Sequence, residues 1–252
     1  MSELAGELTA LVRQMVADHN RQGFYREPLL GFSAADDPLY GEFKTRIGPW
    51  HKHPRELLPE AQTVITFFIP FTRAVVEANR RSTEGPAKEW VHSYHHCNSL
   101  IDLIGEAAAS FLRERGYSSR GIHSTDEYDP VQLVSGWSHR SAALVAGLGS
   151  LGLNRMLITD KGCAGRLGTV LTAAVLPPTP RTERERCLYY ADGSCRYCLD
   201  HCPRQALSAD NAIDLRRRSC LEQCERPTPY RTEAGGAQCC GKCVMGPCAY
   251  YD

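Results

Sequence analysis

The run Cys187-x7-Cys195-x2-Cys198-x3-Cys202-Pro203 constrains this 252-residue chain more than any other stretch of it. Ten of the twelve cysteines lie between Cys187 and Cys248; only Cys97 and Cys163 precede them. The N-terminal SELAGELTALVRQMVADHN is an amphipathic pattern carrying acids, without the continuous apolar stretch of an export signal. A cytoplasmic, reducing location is therefore expected, and dense cysteines there favour metal or cluster ligation over disulfides.

The spacing itself carries chemistry. C-x2-C-x3-C-P is the second half of the bacterial ferredoxin run C-x2-C-x2-C-x3-C-P. Cysteines three apart turn their thiolates toward one edge of a cubane, while the last cysteine points away to a second cluster. The full run would place its first cysteine at 192, where Asp192 stands, so Cys187 is expected to replace it across the YYADG loop. Pro203 is expected to open a short helix, PRQAL, as a first-turn proline. A second set contains Cys220, Cys224, Cys239, Cys240, Cys243 and Cys248. By the crossing rule, Cys187, Cys195, Cys198 and Cys248 hold one [4Fe–4S] cluster. Cys202, Cys220 or Cys224, Cys240 (with Cys239 as its alternative) and Cys243 hold the other. Two C-x2-C pairs would also suit a four-thiolate zinc site. The C-x2-C-x3-C-P signature tips the reading to two [4Fe–4S] clusters.

The rest of the chain reads as an α/β or α+β sheet domain. Leu4, Leu8, Leu11, Val12, Met15 and Val16 recur at helical spacing behind Ser2 as N-cap. Thr63 to Phe71 is a buried-strand pattern, and residues 88–115 form a long helix stopped at Gly116. Ser119 to His123 reads as a strand, Ser138 to Val145 as a helix, and Arg155 to Thr159 and Thr169 to Val175 as strands. Residues 24–60, rich in Gly, Pro and Asp, read as irregular connection. Pro177, Pro178 and Pro180 mark a boundary, giving a sheet domain over 1–180 and a cysteine module over 181–252. Lys+Arg and Asp+Glu balance at 29 each, so charge steers the whole molecule toward neither nucleic acid nor an anionic membrane. The longest apolar run, Val64 to Phe71, is too short to span a bilayer.

Gly147-x-Gly149-x-x-Gly152 matches the dinucleotide fingerprint by letter, but helical sequence precedes it and strand sequence follows, the reverse of what that motif requires. The glycines are expected to permit a tight helix-to-strand turn where a backbone or a flat ring, a corrin or flavin, approaches. His139 and Arg140 are candidates to hold a phosphate or propionamide group. His92, His95 and His96 read as helix-surface residues, and Cys163 as a small buried cysteine or a thiol near the cofactor.

Ser138 to Thr172, with AGLGSLGLN (Ala146 to Asn154), and the CRYCLDHCP block together resemble epoxyqueuosine reductase, in particular its short relatives. The resemblance implies a nitroreductase-like domain holding cobalamin beside a ferredoxin-like two-cluster module, an architecture shared with reductive dehalogenases. The clusters would reduce the cofactor, cobalamin or alternatively flavin, and the reduced cofactor would act on a small-molecule substrate. Implied cofactor contacts are His139, Arg140, Gly147, Gly149, Gly152 and Asn154. The family's catalytic acid aligns, through Pro130 and Val131, on Glu127, flanked by Asp126 and Asp129; Glu127 or Asp129 would donate a proton. A flavodoxin or ferredoxin is the implied electron donor. The chain ends four residues after Cys248, without the tRNA-interacting extension of the long members, which puts a tRNA substrate in doubt. The alternative is a ferredoxin-like carrier whose N-terminal domain only docks a partner.

Overall fold

Eight consecutive buried residues, Thr63–Pro70, make β2 the centre of the computed structural model. It describes residues 2–83, 85–181, 183–209, 216–226, 230 and 239–251. β2 pairs antiparallel with β1 (Leu29–Ala34) on one side and β8 (Gly165–Thr172) on the other, and β8 pairs with β3 (Ser119–Ile122). A strand buried on both faces reads as an unbroken apolar run, which is what TVITFFIP is. Ile65, Phe67 and Ile69 enter the larger core, and Val64 enters the smaller one across the sheet. This alternation follows from the two-residue repeat of a strand.

The larger core is closed by α1 (Glu3–Asp18), α4 (Arg73–Arg81) and α5 (Lys88–Arg113). Ser2 caps α1 by accepting from Ala5 N–H, and Ala5, Leu8, Val12 and Val16 form the buried stripe. α5 approaches β3 so closely that a Cβ on Gly121 would lie 2.6 Å from Gly105 C. The opposite face carries α2 (Pro38–Arg46), α3 (Pro54–Leu57) and α6 (His139–Val145).

Three local expectations change. Residues 24–60 contain β1, α2 and α3, because Pro38 and Pro54 open helices behind the caps Asp37 and His53 rather than breaking structure. Gly31 sits inside β1 because a Cβ there would be 2.7 Å from Ala146 O. The expected helix over 203–207 is not formed; Gln205 takes a left-handed φ of 47° and the segment turns. The YYADG stretch is mostly helical, α7 (Leu188–Asp192), ended by left-handed Gly193.

The larger core does not stop at residue 180. Cys187, Cys239, Val244, Met245 and Ala249 are buried in it with Phe71 and Trp90. Polar clamps fasten the same tail. Arg26 donates to the carbonyls of Phe71, Lys161 and Tyr251 and lies 3.9 Å from the Tyr250 ring centroid. Arg80 donates to Met245 O, and Asn79 to Cys240 O. Among the described residues no helix is long and apolar enough to cross a membrane.

Candidate functional site: two cysteine sites and an arginine cleft

The central device is a hairpin. After α6, Gly147 turns the chain at φ 72°, β6 (Gly149–Leu151) runs out and β7 (Leu157–Thr159) returns. Helix, glycine turn and strand follow in the order the sequence predicts, so the glycines are not a dinucleotide loop, and the strand turns back as a hairpin. Gly149 allows close strand pairing, since a Cβ would be 2.1 Å from Ile158 O. At the tip Gly152 N–H donates to Met156 O, and Arg155 takes a left-handed φ of 65°. Such a backbone costs an L-residue about 1–2 kcal/mol. It sends neighbouring side chains to opposite sides: Asn154 toward the cysteines, Arg155 into a cleft.

On the cysteine side, Cys187, Cys195, Cys198 and Cys248 line one small apolar cavity with Leu153, Asn154, Ile158 and Pro247. Cys187 is the N-cap of α7, and Cys198 lies in α8 (Tyr197–Asp200). Leu153 N–H donates to Cys187 Sγ at 3.5 Å. Burial and then the neighbouring thiols of Cys248, Cys187 and Cys195 push Cys198 up to about 12. Cys163, outside the cavity lining, donates its S–H to Cys248 Sγ at 3.7 Å. That bond raises the Cys163 thiol and lowers Cys248, so Cys248 is the readier thiolate. Asn154 Nδ2 donates to Cys243 O at 3.1 Å and lies 3.7 Å from Cys163 Sγ.

The second set gathers nearby. Burial first, then Cys240, Cys220 and Cys202, raise the Cys243 thiol. Cys220 and Cys224 stand one turn apart on α9 (Arg217–Cys224), and their mutual bond brings Cys220 down to about 7 while raising Cys224. Ala206 N–H donates to Cys202 Sγ at 3.2 Å. Cys239 is buried beside Cys240 and packs in the larger core.

Among the described residues no three His, Cys, Asp or Glu side chains converge on one ion-sized point. A single zinc needs all its sulfurs about 2.3 Å from one centre. A cubane takes one thiolate at each of four separated irons, so thiols spaced around a cavity fit the cluster better.

On the other side of the hairpin lies a cleft of about 620 Å³, within the usual range of ligand pockets. Arg46, Arg140, Arg155 and Arg217 line it together with Phe43, Ile47, Leu144, Leu151, Gly152 and Tyr190, and among the described residues no carboxylate does. Burial, then Arg155 and Arg217, lowers the Arg140 pKa, a sign that an anion there would be welcome. Another cleft of about 590 Å³ runs along α1; its Arg13 is paired with Glu27, as Arg46 of the first cleft is with Glu42.

The expected cofactor contacts divide. Arg140 and Gly152 line the cleft, whereas Asn154 faces the cysteines. Gly147 packs on Pro180, and Gly149 is consumed by the hairpin. His139 points away and bridges Thr169 Oγ1 and His123 O. Glu127 and Asp129 lie at β4 (Tyr128–Asp129) and its approach, paired with β5 (Val134–Ser135), and neither lines the cleft. Glu127 pairs with Lys52, and Asp129 accepts from Val131 and Gln132 N–H. Sequence reasoning passed over Arg46, Arg155, Tyr190 and Arg217. The one local signal was Arg155 itself, the residue after the AGLGSLGLN motif.

No protein-family model matches the chain. It is 26% identical to the epoxyqueuosine reductase of Lactococcus garvieae over 244 residues, covering 89% of this chain and 61% of that protein. Identity to the epoxyqueuosine reductase of Synechocystis sp. is 29% over 175 residues, 66% of this chain and 53% of that one. The chain thus spans just over half the length of these relatives. The solved epoxyqueuosine reductase from Streptococcus thermophilus superimposes with a TM-score of 0.58 at 19% identity, over 94% of this chain and 64% of that one. An epoxyqueuosine reductase solved with a modified tRNA stem loop gives 0.54 at 18%, over 94% and 64%. A catabolic reductive dehalogenase solved with 3-bromo-4-hydroxybenzoic acid gives 0.54 at 19%, over 87% and 29%. The antiparallel sheet with helices on both faces is the fold they share with it. Curated relatives and fold together make this chain an epoxyqueuosine reductase-like protein.

Proposed function

We propose that the chain is an iron–sulfur oxidoreductase that passes electrons from two [4Fe–4S] clusters to a cofactor in the arginine cleft. One observation carries this reading: the Leu151–Arg155 hairpin tip is a single wall with the Cys187, Cys195, Cys198 and Cys248 cavity on one side and the cleft on the other. In this reading Cys187, Cys195, Cys198 and Cys248 hold the first cluster, and Cys202, Cys220, Cys240 and Cys243 the second. Cobalamin is the cofactor assigned, with flavin as the alternative; when bound it supplies the low-potential, group-cleaving chemistry that side chains lack.

The chain's own residues bind and orient. Arg140, one of whose guanidinium nitrogens donates to Arg155 O, offers its other donors to an anionic group; Arg155 is held to Tyr190 Oη and Ser208 O, and Phe43, Ile47, Leu144 and Leu151 cover an apolar body and exclude water. Glu127 is kept as the proton donor of this reading, which requires it to leave Lys52 and move to the cleft it does not line, since Asp129 is committed to its own turn. A flavodoxin or ferredoxin supplies electrons. The substrate is tested in two classes, a small anionic molecule and a tRNA stem loop, the latter because an epoxyqueuosine reductase has been solved with one. A pure electron carrier would have no need of a basic, apolar-floored cleft one residue away from a cluster.

Anaerobic purification followed by metal and cofactor analysis tests the proposal. The expected result is about eight irons per chain, broad absorbance near 400 nm, and co-elution of added cobalamin. Protein with zinc in place of iron would sink it, and protein with full iron that retains neither cobalamin nor flavin would return the carrier reading.

A further inference from the structure

Cys163 lies outside the cysteine sets by 24 residues, yet the backbone is built to bring it to Cys248. Cys163 N–H donates to Cys248 O at 2.9 Å, and Ala164 N–H donates to Ala249 O at 3.0 Å. Gly162 makes this approach possible: at φ 88°, a Cβ there would be 2.4 Å from Ala249 O. The Thr159 hydroxyl and N–H tie the same turn back to Gly162 O. The two sulfurs meet at 3.7 Å through fixed main chain, with Cys163 only 2% exposed. Asn154 Nδ2, held by Cys243 O, lies 4.0 Å from Cys248 Sγ on the same side. Cys163 does not line the cavity that the four other thiols share, yet it touches one of those thiols, Cys248.

We infer that Cys163 is a positioning residue for the first cluster, its S–H donating to the ligand sulfur of Cys248 and so raising that cluster's reduction potential. The inference rests on the reading that Cys248 is a cluster ligand. The physics is direct. Adding one electron to a cluster puts negative charge on its sulfurs, and a donor aimed at a ligand sulfur stabilises the reduced form more than the oxidised one. In a dry, apolar wall such a donor counts for more than in water.

The test is a potentiometric titration of the purified two-cluster protein followed by electron paramagnetic resonance. Cys163→Ala should shift the one-electron equilibrium of the first cluster about tenfold toward the oxidised form, about 59 mV, and leave the second where it was. Cys163→Ser, which keeps a donor, should recover most of the shift at full iron content. An unmoved potential in Cys163→Ala, or equal movement of both clusters, overturns the inference. Loss of the first cluster in Cys163→Ala overturns it too, because Cys163 would then be a ligand. Cys248→Ala separates the two levels: retention of all iron would refute Cys248 as ligand. Loss of about four irons there, with an unmoved potential in Cys163→Ala, would refute only the role given to Cys163.

Discussion

The two sides of the β6–β7 hairpin differ in every property that matters for what they hold. On one side four thiols and Leu153, Ile158 and Pro247 surround a small apolar space. On the other, four arginines face a wide cleft with an apolar floor. The first arrangement suits a group fixed by covalent metal–sulfur bonds, whose ligands keep no charge to spare for passing solutes. The second suits an anionic ligand that enters and leaves. The turn between them is five residues, Gly152 to Met156, closed by Gly152 N–H to Met156 O. The proposed electron transfer across it would need no moving part.

The contrast breaks most visibly on the cysteine side. Cys198→Ala is expected to remove the first cluster, about four irons of about eight, while added cobalamin still binds; iron assay and size-exclusion co-elution check both. The second set comes next. Cys220→Ala should lose about four irons and Cys224→Ala should keep them, because Cys220 acts with Cys240 and Cys202 on Cys243, whereas Cys224 acts on Cys220 and feels Cys240 and Cys239 but does not act on Cys243. Equal iron loss in both variants would refute that assignment. On the arginine side, Arg140→Ala should weaken retention of an anionic cofactor roughly tenfold or more, the worth of one charge-assisted hydrogen bond, with iron content unchanged. If iron falls with it, the two sides are one structural unit rather than two sites.

The cysteine side was legible because its information is local. Spacing within Cys187 to Cys202 groups these thiols in sequence, and Cys248 lines one cavity with three of them. The choice between Cys220 and Cys224 was not legible, since residues four apart on a helix face the same way. The cleft was scarcely legible at all. Arg46, Arg140, Arg155 and Arg217 come from α2, α6, the hairpin and α9, and only tertiary packing brings them together. Cys163 escaped for a similar reason, as its meeting with Cys248 depends on a backbone approach that Gly162 permits. In the N-terminal third, prolines misled: Pro38 and Pro54 look like breakers in sequence and are helix openers in the fold.

The smallest expected effect concerns the arginine side alone and depends on pH. His139 opens α6, the helix that carries Arg140, and burial lowers its pKa from 6.5 to about 4. Its ring is used in the neutral form: Nε2–H donates to His123 O and Nδ1 accepts from the Thr169 hydroxyl, each at 2.9 Å. Thr169 Oγ1 in turn accepts from Trp137 Nε1. A proton on Nδ1 would set two donors against each other there. The folded state therefore binds this proton less readily than the unfolded chain, so the contribution is complete above pH 6.5 and is lost as pH falls toward 4. By pH 5 the loss amounts to about 1–2 kcal/mol, and at neutral pH it vanishes. His139→Asn should flatten the dependence of chemical denaturation midpoints on pH between 6.5 and 4. Cofactor retention in the wild type should fall over the same window while iron content holds, because the helix that loosens lines the cleft and not the cysteine cavity. Parallel loss of iron would mean that acid acts first on the thiolates and that the hairpin does not insulate one side from the other.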